Sequence, residues 1–225
     1  MRLDVITGLP KLLESPFQES ILKRGQAKGF IELHVHDLRE YTHDKHHSID
    51  DTPYGGGAGM ILKPEPIFEC IEHLQTLRKY DEVIYLSADG KTFDQQMANE
   101  LSLCQNIILL CGHYKGIDER VRETLLTREV SIGDYVLTGG EIAAAVVVDA
   151  VARLVPGVLN DGESALTDSF QDGLLGSPQY TKPSEFRGLK VPDVLLSGNH
   201  SEITKWREQQ RFERTNTRRH DMLEQ

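Results

Sequence analysis

Short apolar runs alternate with amphipathic segments along the first two thirds of the chain. Runs of four to eight residues rich in apolar and β-branched side chains are typical of buried strands. They occur at residues 2–6, 30–36, 81–87, 106–111 and 129–132. The segments between them have helical spacing, at residues 10–25, 64–80, 92–103 and 117–126. Because strands alternate with helices, the pattern predicts an α/β fold with a mainly parallel sheet.

Three further segments depart from this alternation. Residues 141–155 are apolar almost all round, which predicts a buried helix. Residues 37–60 are polar, then His-rich, then Gly-rich, and are predicted to form a long loop of the kind that is usually functional or mobile. Glycines and prolines within residues 156–182 break the pattern, so a domain boundary is expected within 160–175.

Three glycine-containing loops follow predicted strands, at residues 87–90, 112–116 and 132–140. In open α/β sheets, ligands bind outside the carboxyl ends of the strands, and glycines let the backbone approach them closely. Tyr114 and Tyr135 could line an aromatic slot there. The loops carry little positive charge beyond Lys115, which favours a neutral heterocycle with a compact charged end over a triphosphate. Ordinary turns are the alternative interpretation.

The segment 205–220 is rich in basic side chains. It carries two Glu and these six basic residues: Lys205, Arg207, Arg211, Arg214, Arg218 and Arg219. Trp206 and Phe212 are interleaved with them. The segment fits a phosphate-binding face with stacking aromatic rings. It fits equally well a solvated helix with two aromatic side chains in a core.

Composition sets limits on the class of protein. The chain has 225 residues and a formal net charge of −10, which taken alone argues against a nucleic-acid partner. The basic segment weakens that argument, since the excess acid lies elsewhere. Three cysteines without a CxxC pair argue against a disulfide framework or a zinc site. His43, His46 and His47 are interpreted as an exposed loop, so no metal site is predicted. The sequence shows neither a bilayer-spanning run nor a signal peptide, which favours the cytoplasm.

Several long strings identify a family resemblance. They read CGHYKGIDERV, SIGDYVLTGGE, DAVARLVPGVL, DSFQDGLL, SPQYTKP and KVPDVLLSGNH. Together with PYGGGAGM they resemble the bacterial tRNA (guanine-N1-)-methyltransferases, in order and from end to end of the chain. Motifs of this length are far more specific than a single Gly-rich loop.

The resemblance implies a particular fold. Members of this family belong to the knotted (SPOUT) methyltransferases, α/β proteins with a mainly parallel sheet, a deep C-terminal trefoil knot and a small all-helical C-terminal domain. The implied layout is a knotted cofactor-binding domain at 1–159, a linker and active-site loop at 160–175, and a helical tRNA-binding domain at 176–225. Members are homodimers whose active site uses both subunits.

The resemblance also implies an activity and its residues. Members methylate N1 of guanosine 37 of tRNA, next to the anticodon, with S-adenosylmethionine, and the product is 1-methylguanosine. Asp168 and Arg153 match the family's catalytic aspartate and its partner arginine. The implied cofactor-binding residues are Tyr85, Leu86, Ser87, Gly112, Tyr114, Gly116, Ile132, Gly133, Asp134, Tyr135, Val136, Leu137, Gly139 and Gly140.

The two catalytic residue types suit this chemistry. Guanine N1 carries a proton, so a base must remove it as the methyl group transfers, and Asp168 is expected to be that base. Negative charge then builds on O6, where the guanidinium of Arg153 could stabilise it. Because Asp168 lies in the predicted linker, tRNA binding could order it. The presence of both residues argues against a catalytically silent RNA-binding homologue, and DSFQDGLL argues against a ribose or rRNA methyltransferase.

Three positions depart from the usual family pattern. Ala88 replaces a common proline and Gln179 a common histidine, while Lys115 stands where members commonly have an acid. The resemblance places that acid near the cofactor's amino group or a bound Mg²⁺. Lys115 therefore weakens the case for a Mg²⁺ requirement at this position.

Overall fold

A parallel sheet forms the centre of the N-terminal part of the chain. The computed structural model describes residues 1–159 and 168–224. Within 1–159 the strands are β1 (Arg2–Thr7), β2 (Glu32–Asp37), β3 (Asp50–Asp51), β4 (Ile61–Leu62), β5 (Glu82–Thr92), β6 (Asn106–Cys111) and β7 (Arg128–Ser131). Five of them pair in the order β2-β1-β6-β5-β7, and all four pairings are parallel. The predicted α/β class with a mainly parallel sheet is confirmed.

Helices connect these strands. They are α1 (Lys11–Phe17), α2 (Ser20–Ala27), α3 (Pro64–Leu77), α4 (Gln95–Ser102), α5 (Glu119–Thr124) and α6 (Glu141–Ala152). Local sequence sets several of their starts: Pro64 opens α3, and the side chain of Asp94 caps α4 by accepting from Met97 N at 2.8 Å. The single helix predicted within 10–25 is wrong. Two helices form there, because Ser20 has a φ of +52°, which a continuous helix cannot accommodate.

Apolar side chains cover both faces of the sheet. On one face Leu109 of β6 belongs to a buried cluster with Met97 of α4 and Val148 of α6. On the other face Leu110 belongs to a cluster with Ile71 of α3. Parallel sheets need both faces covered, which explains why β6 reads as an unbroken apolar run rather than as an alternation.

Helix α6 is not buried all round, contrary to the prediction. Val147, Val148 and Val151 are buried, but Ile142 is 54% exposed and Val146 is 44% exposed. The helix packs against the sheet along one side only, and the apolar residues on its other side face outward in the single chain. No helix in the described ranges is long and apolar enough to cross a membrane.

The described residues fall into two compact units, one within Met1–Gly162 and one within Glu163–Gln225. The second unit contains β8 (Glu185–Phe186), β9 (Leu189–Lys190), α7 (Asp193–Leu196) and α8 (His200–Arg218). Of the predicted linker, residues 160–167 lie outside the described residues, and 168–175 belong to this second unit.

The prediction that the C-terminal part is all-helical is wrong. β8 and β9 form an antiparallel hairpin, joined by Arg187 and Gly188. Both joining residues have positive φ, +52° and +78°, which is what a two-residue hairpin turn requires. Arg-Gly is a weaker turn signal than Asn-Gly, so the sequence pattern did not reveal the hairpin.

Candidate functional site

The three loops predicted to hold a ligand surround one cavity of about 290 Å³ beside the carboxyl ends of β5, β6 and β7. Every residue implied to bind the cofactor lines this cavity except Asp134. The lining includes Tyr85, Leu86, Ser87, Gly112, Tyr114, Gly116, Ile132, Gly133, Tyr135, Val136, Leu137, Gly139 and Gly140. Residues far apart in sequence are thus brought to one place, as the strand-end argument predicted.

Tyr85 and Gly112 pack against each other in the cavity wall. A Cβ atom added at Gly112 would lie 2.7 Å from the Tyr85 hydroxyl, so this position requires glycine. Tyr85 is 5% exposed. Burial raises the pKa of its phenol to about 12, which keeps it neutral at physiological pH.

The second and third loops are joined by backbone contacts. Gly140 N donates to Gly112 O at 2.8 Å, and His113 forms an antiparallel bridge with Gly139. A Cβ atom at Gly140 would lie 2.8 Å from Cys111 Cα. The glycines therefore allow the segment before α6 to cross directly against the end of β6.

Two polar groups near this crossing were not found from the sequence. Glu141, the first residue of α6, is buried and accepts a hydrogen bond of 2.6 Å from Thr7 Oγ1. His113 lines the cavity, and its buried Nδ1 has no hydrogen-bond partner among the described residues. An unpaired buried nitrogen costs about 1–3 kcal/mol.

Charged side chains of both signs line the cavity: Asp89, Lys115 and Arg122. Asp89 Oδ2 lies 3.0 Å from Arg122 Nη2. The aliphatic part of Lys115 runs close to Gly59 of the Gly-rich segment, at 2.9 Å from an added Cβ atom. Arg122 was not predicted, since it lies on α5 rather than in a loop.

The two implied catalytic residues belong to different units. Arg153 is the residue that ends α6, and it is partly buried. Asp168 is the first described residue of the C-terminal unit and is also partly buried.

The loop that follows Asp168 is tied to α8. Leu175 N donates to Thr215 Oγ1 at 2.9 Å, and Gly176 N donates to Ser169 Oγ at 2.9 Å. Arg211 pairs with Asp172 and lowers the pKa of that carboxyl. Residues 169–176 thus form a defined loop, fixed by side chains of a helix some forty residues later.

The predicted tRNA-binding residues differ in their surroundings. Arg207 and Arg218 are exposed, whereas Lys205 lies 3.0 Å from Glu202, and Arg219 lies 2.7 Å from Asp221. Arg211 pairs with Asp172 of the loop 169–176. Arg214 is partly buried, with an Nε atom that has no hydrogen-bond partner in the described part of the chain.

The two aromatic residues of the basic segment 205–220 differ: one fits the interpretation of a core side chain, and the other fits that of a stacking ring. Trp206 is partly buried, with its ring centroid 6.5 Å from that of Tyr180. Phe212 is 56% exposed. One ring therefore packs within the unit, while the other is accessible to a partner.

Comparison with known proteins gives the chain a family. The family model described as tRNA (Guanine-1)-methyltransferase TrmD matches residues 1–225. The tRNA (guanine-N(1)-)-methyltransferase of Azobacteroides pseudotrichonymphae is 60% identical over 222 residues, covering 99% of this chain and 100% of that protein. The enzyme of the same name from Cytophaga hutchinsonii is 61% identical, covering 100% of this chain and 95% of that protein. As the sequence resemblance predicted, the chain belongs to the tRNA (guanine-N1)-methyltransferase family.

Proposed function

We propose that this chain transfers a methyl group from S-adenosylmethionine to N1 of guanosine 37 in tRNA, and that the product is 1-methylguanosine. Membership of a tRNA methyltransferase family fixes the class of reaction and the substrate class. The observation that carries the finer proposal is the convergence of three separate loops, with the implied cofactor-binding residues, on one cavity.

The cavity fits this cofactor in size and chemistry. Tyr85, Tyr135 and Leu137 offer apolar and aromatic surface for an adenosine, and glycines in the loops bring backbone groups to the wall. Lys115 offers a positive charge to the carboxylate of the cofactor's amino-acid end. When bound, the cofactor supplies an electrophilic methyl group on a sulfonium that leaves readily.

The remaining chemistry falls to the chain's own residues. Asp168 accepts the proton from guanine N1, which frees the nitrogen lone pair for attack. Arg153 holds its guanidinium near O6 and stabilises the negative charge that develops there. The loop 169–176 positions Asp168, since its backbone is bound to Thr215 of α8.

The charged residues of the cavity do not suit a Mg²⁺ ion. Asp89 is the carboxylate in the wall, and it is paired with Arg122, while Lys115 adds a second cation. Magnesium prefers unpaired carboxylates and water. Across 1–159 and 168–224 no three His, Cys, Asp or Glu side chains gather as metal ligands. We therefore assign no step to a metal.

We also propose that the chain is a knotted homodimer that works in the cytoplasm. The direct crossing of Gly140 over the end of β6 supports the knot. Exposed apolar residues at the start of α1 and on α6 support the homodimer, because a second copy would cover them: Leu9 just before α1, Leu12, Ile142 and Val146. An active site that uses both subunits would then be completed at this face.

Transfer RNA is proposed to contact the basic side chains of α8. Arg207 and Arg218 are exposed and available to phosphates, and exposed Phe212 could stack on a base. Arg211 is proposed to have a different role: it holds the loop 169–176, which follows Asp168.

Product analysis tests the proposal. Purified protein is incubated with S-adenosylmethionine and an unmodified tRNA transcript that has guanosine at position 37, and the nucleosides are identified by mass spectrometry. We expect 1-methylguanosine from this transcript and none from a matched transcript with adenosine at position 37. Absence of 1-methylguanosine from the first transcript, or its persistence in the second, would contradict the proposal.

A further inference from the structure

Strand β5 contains an irregularity beside the cavity. Leu86 and Lys91 are both opposite Val130 of β7, so residues 87–90 leave the ladder and return to it at the same register position. We call this excursion, Ser87–Gly90, the β5 bulge. Ser87, Ala88 and Asp89 of the bulge line the cavity, which makes its position important for the shape of the wall.

One end of the β5 bulge is fixed by packing. A Cβ atom at Gly90 would collide with the backbone of Glu129 and Val130, so the returning segment lies directly against β7. Within the bulge, Ser87 Oγ accepts a hydrogen bond from Asp89 N at 3.1 Å. Neither contact reaches from the bulge to α5 across the cavity wall.

Arg122 of α5 provides that connection. Its Nη2 donates to Asp89 Oδ2 at 3.0 Å, while its Nε and Nη2 donate to the two oxygens of Glu129 at 2.9 and 2.7 Å. Its Nη1 lies 3.5 Å from Glu119 Oε2. The guanidinium also lies 5.8 Å from the centre of the Tyr85 ring, in the cavity wall. These contacts raise the pKa of Arg122, the bond with Glu129 foremost, so it stays charged.

These contacts need an arginine. A planar fork can bond both oxygens of Glu129 and still reach Asp89, which a single ammonium cannot do. Without the guanidinium, three carboxylates from three elements would face one another unpaired. Asp89 is the one free to move away, since its side chain is 69% exposed and it lies in the bulge rather than on a helix or in the strand ladder.

We propose that Arg122 is a positioning residue that holds the β5 bulge against the cavity and thereby raises the affinity for S-adenosylmethionine. The inference rests on the proposed function, because it takes the cavity to be the cofactor site. An ion pair with so exposed an acid adds little to folding stability. Its effect is therefore expected in ligand binding rather than in the melting temperature.

Binding of S-adenosylhomocysteine to the full chain, measured by calorimetry, tests this. We expect Arg122→Met to raise Kd about tenfold and Asp89→Asn about threefold. Arg122→Lys should fall between Arg122→Met and the wild type. The matched control is Arg120→Met: Arg120 is two residues away on α5, pairs with Asp118 at 2.8 Å and lies outside the cavity lining. It should bind within about twofold of the wild type.

Two further measurements separate positioning from a general structural role. Asp89→Asn added to Arg122→Met should weaken binding no further, because the pair is already broken. In turnover assays, KM for S-adenosylmethionine should rise with Kd, while kcat and KM for tRNA stay within about twofold of the wild type. A variant that is merely misfolded would lose kcat and keep its KM.

Each contrary result has a distinct meaning. Unchanged affinity in Arg122→Met overturns the inference, as does a loss of kcat without a change in Kd. If Arg122→Met does not fold, Asp89→Asn decides, and wild-type affinity in that variant overturns the inference. Failure of the wild type to bind S-adenosylhomocysteine would overturn the proposed cofactor site and this inference with it.

Discussion

Some residues of the candidate site can be identified from the sequence alone, and others cannot. Gly112 and Gly140 could be singled out because glycines after strands mark close backbone approaches, and the structure shows such approaches at both. Glu141 and Arg122 could not, because an acid and an arginine on helices read as ordinary surface charge. Their roles depend on partners from other elements, which no local pattern reveals.

Asp4 is a buried carboxylate whose partners make its ionised form stable. It lies in β1, bonded to Arg2 at 2.7 and 2.8 Å, to His36 at 2.7 Å and to Tyr80 at 2.8 Å. Burial would raise the pKa of Asp4, but the bonds with His36, Arg2 and Tyr80 outweigh burial and hold the pKa well below its ordinary 3.8.

Replacing Asp4 with Asn should therefore lower the free energy of unfolding at pH 7 by about 3 kcal/mol, since it leaves buried donors without their charged partner. Because the folded pKa lies below the unfolded one, this contribution is complete above pH 5 and shrinks as pH falls below about 4. Urea unfolding at several pH values checks it, with Glu32→Gln as an exposed control. A difference that does not shrink below pH 4 would contradict the argument.

Gly112→Ala should weaken binding of S-adenosylhomocysteine about tenfold, because the new methyl group displaces the Tyr85 ring into the cavity. The added Cβ atom would lie 2.7 Å from the Tyr85 hydroxyl and 2.9 Å from its Cε2. Adding Tyr85→Phe removes the closer of these atoms and should restore part of the affinity. Wild-type binding by Gly112→Ala alone would show that Tyr85 is not held in the wall as described.

At the scale of elements, regular patterns were predictable and irregular ones were not. All five predicted strands form. The central strands are apolar runs that a two-sided sheet must bury, whereas the edge strand β2 alternates between polar and apolar residues. The break between α1 and α2 and the β8–β9 hairpin were missed, since each depends on a backbone conformation at one or two residues. The loop at 87–90 was predicted, but the return of the chain to β7 at Lys91 was not. The loop 169–176 is a further case, because α8 fixes it through Arg211 and Thr215.

Helix α8 is expected to perform two separable tasks. Arg211→Met should lower kcat about tenfold with a smaller effect on tRNA affinity, because it releases the loop that carries Asp168. Arg207→Met should instead weaken tRNA binding and reduce its salt slope by about one phosphate contact, with kcat unchanged. Single-turnover rates and filter binding at several salt concentrations distinguish these outcomes. If Arg211→Met and Arg207→Met weakened tRNA binding equally, the two tasks of α8 would not be separable.

In the whole molecule, charged side chains and exposed apolar side chains are unevenly distributed over the chain. The net charge of −10 is an average over the chain, and α8, the proposed tRNA contact, carries more basic than acidic side chains. Family membership was predictable from long motifs that span the chain. The outward apolar side of α6 was not predictable, since an evenly apolar helix gives no sign of which side faces the sheet.

The proposed dimer depends on that outward side. Ile142→Glu together with Val146→Glu should convert the protein to a monomer, because the interface would bury two unpaired carboxylates. Leu103→Glu is the matched control, as Leu103 is 85% exposed and follows α4 rather than lying on α6. Sedimentation measures the mass. A monomeric wild type, or a double variant that remains dimeric, would contradict the proposed interface.

In the proposed mechanism, Asp168 removes the N1 proton of guanosine 37. The most direct test is the single-turnover rate of 1-methylguanosine formation by Asp168→Asn, with Asp193→Asn, at an exposed position of the same unit, as the control. We expect a loss of about a thousandfold in Asp168→Asn, with binding of S-adenosylhomocysteine and of tRNA retained. A rate within tenfold of the wild type would show that Asp168 is not the base.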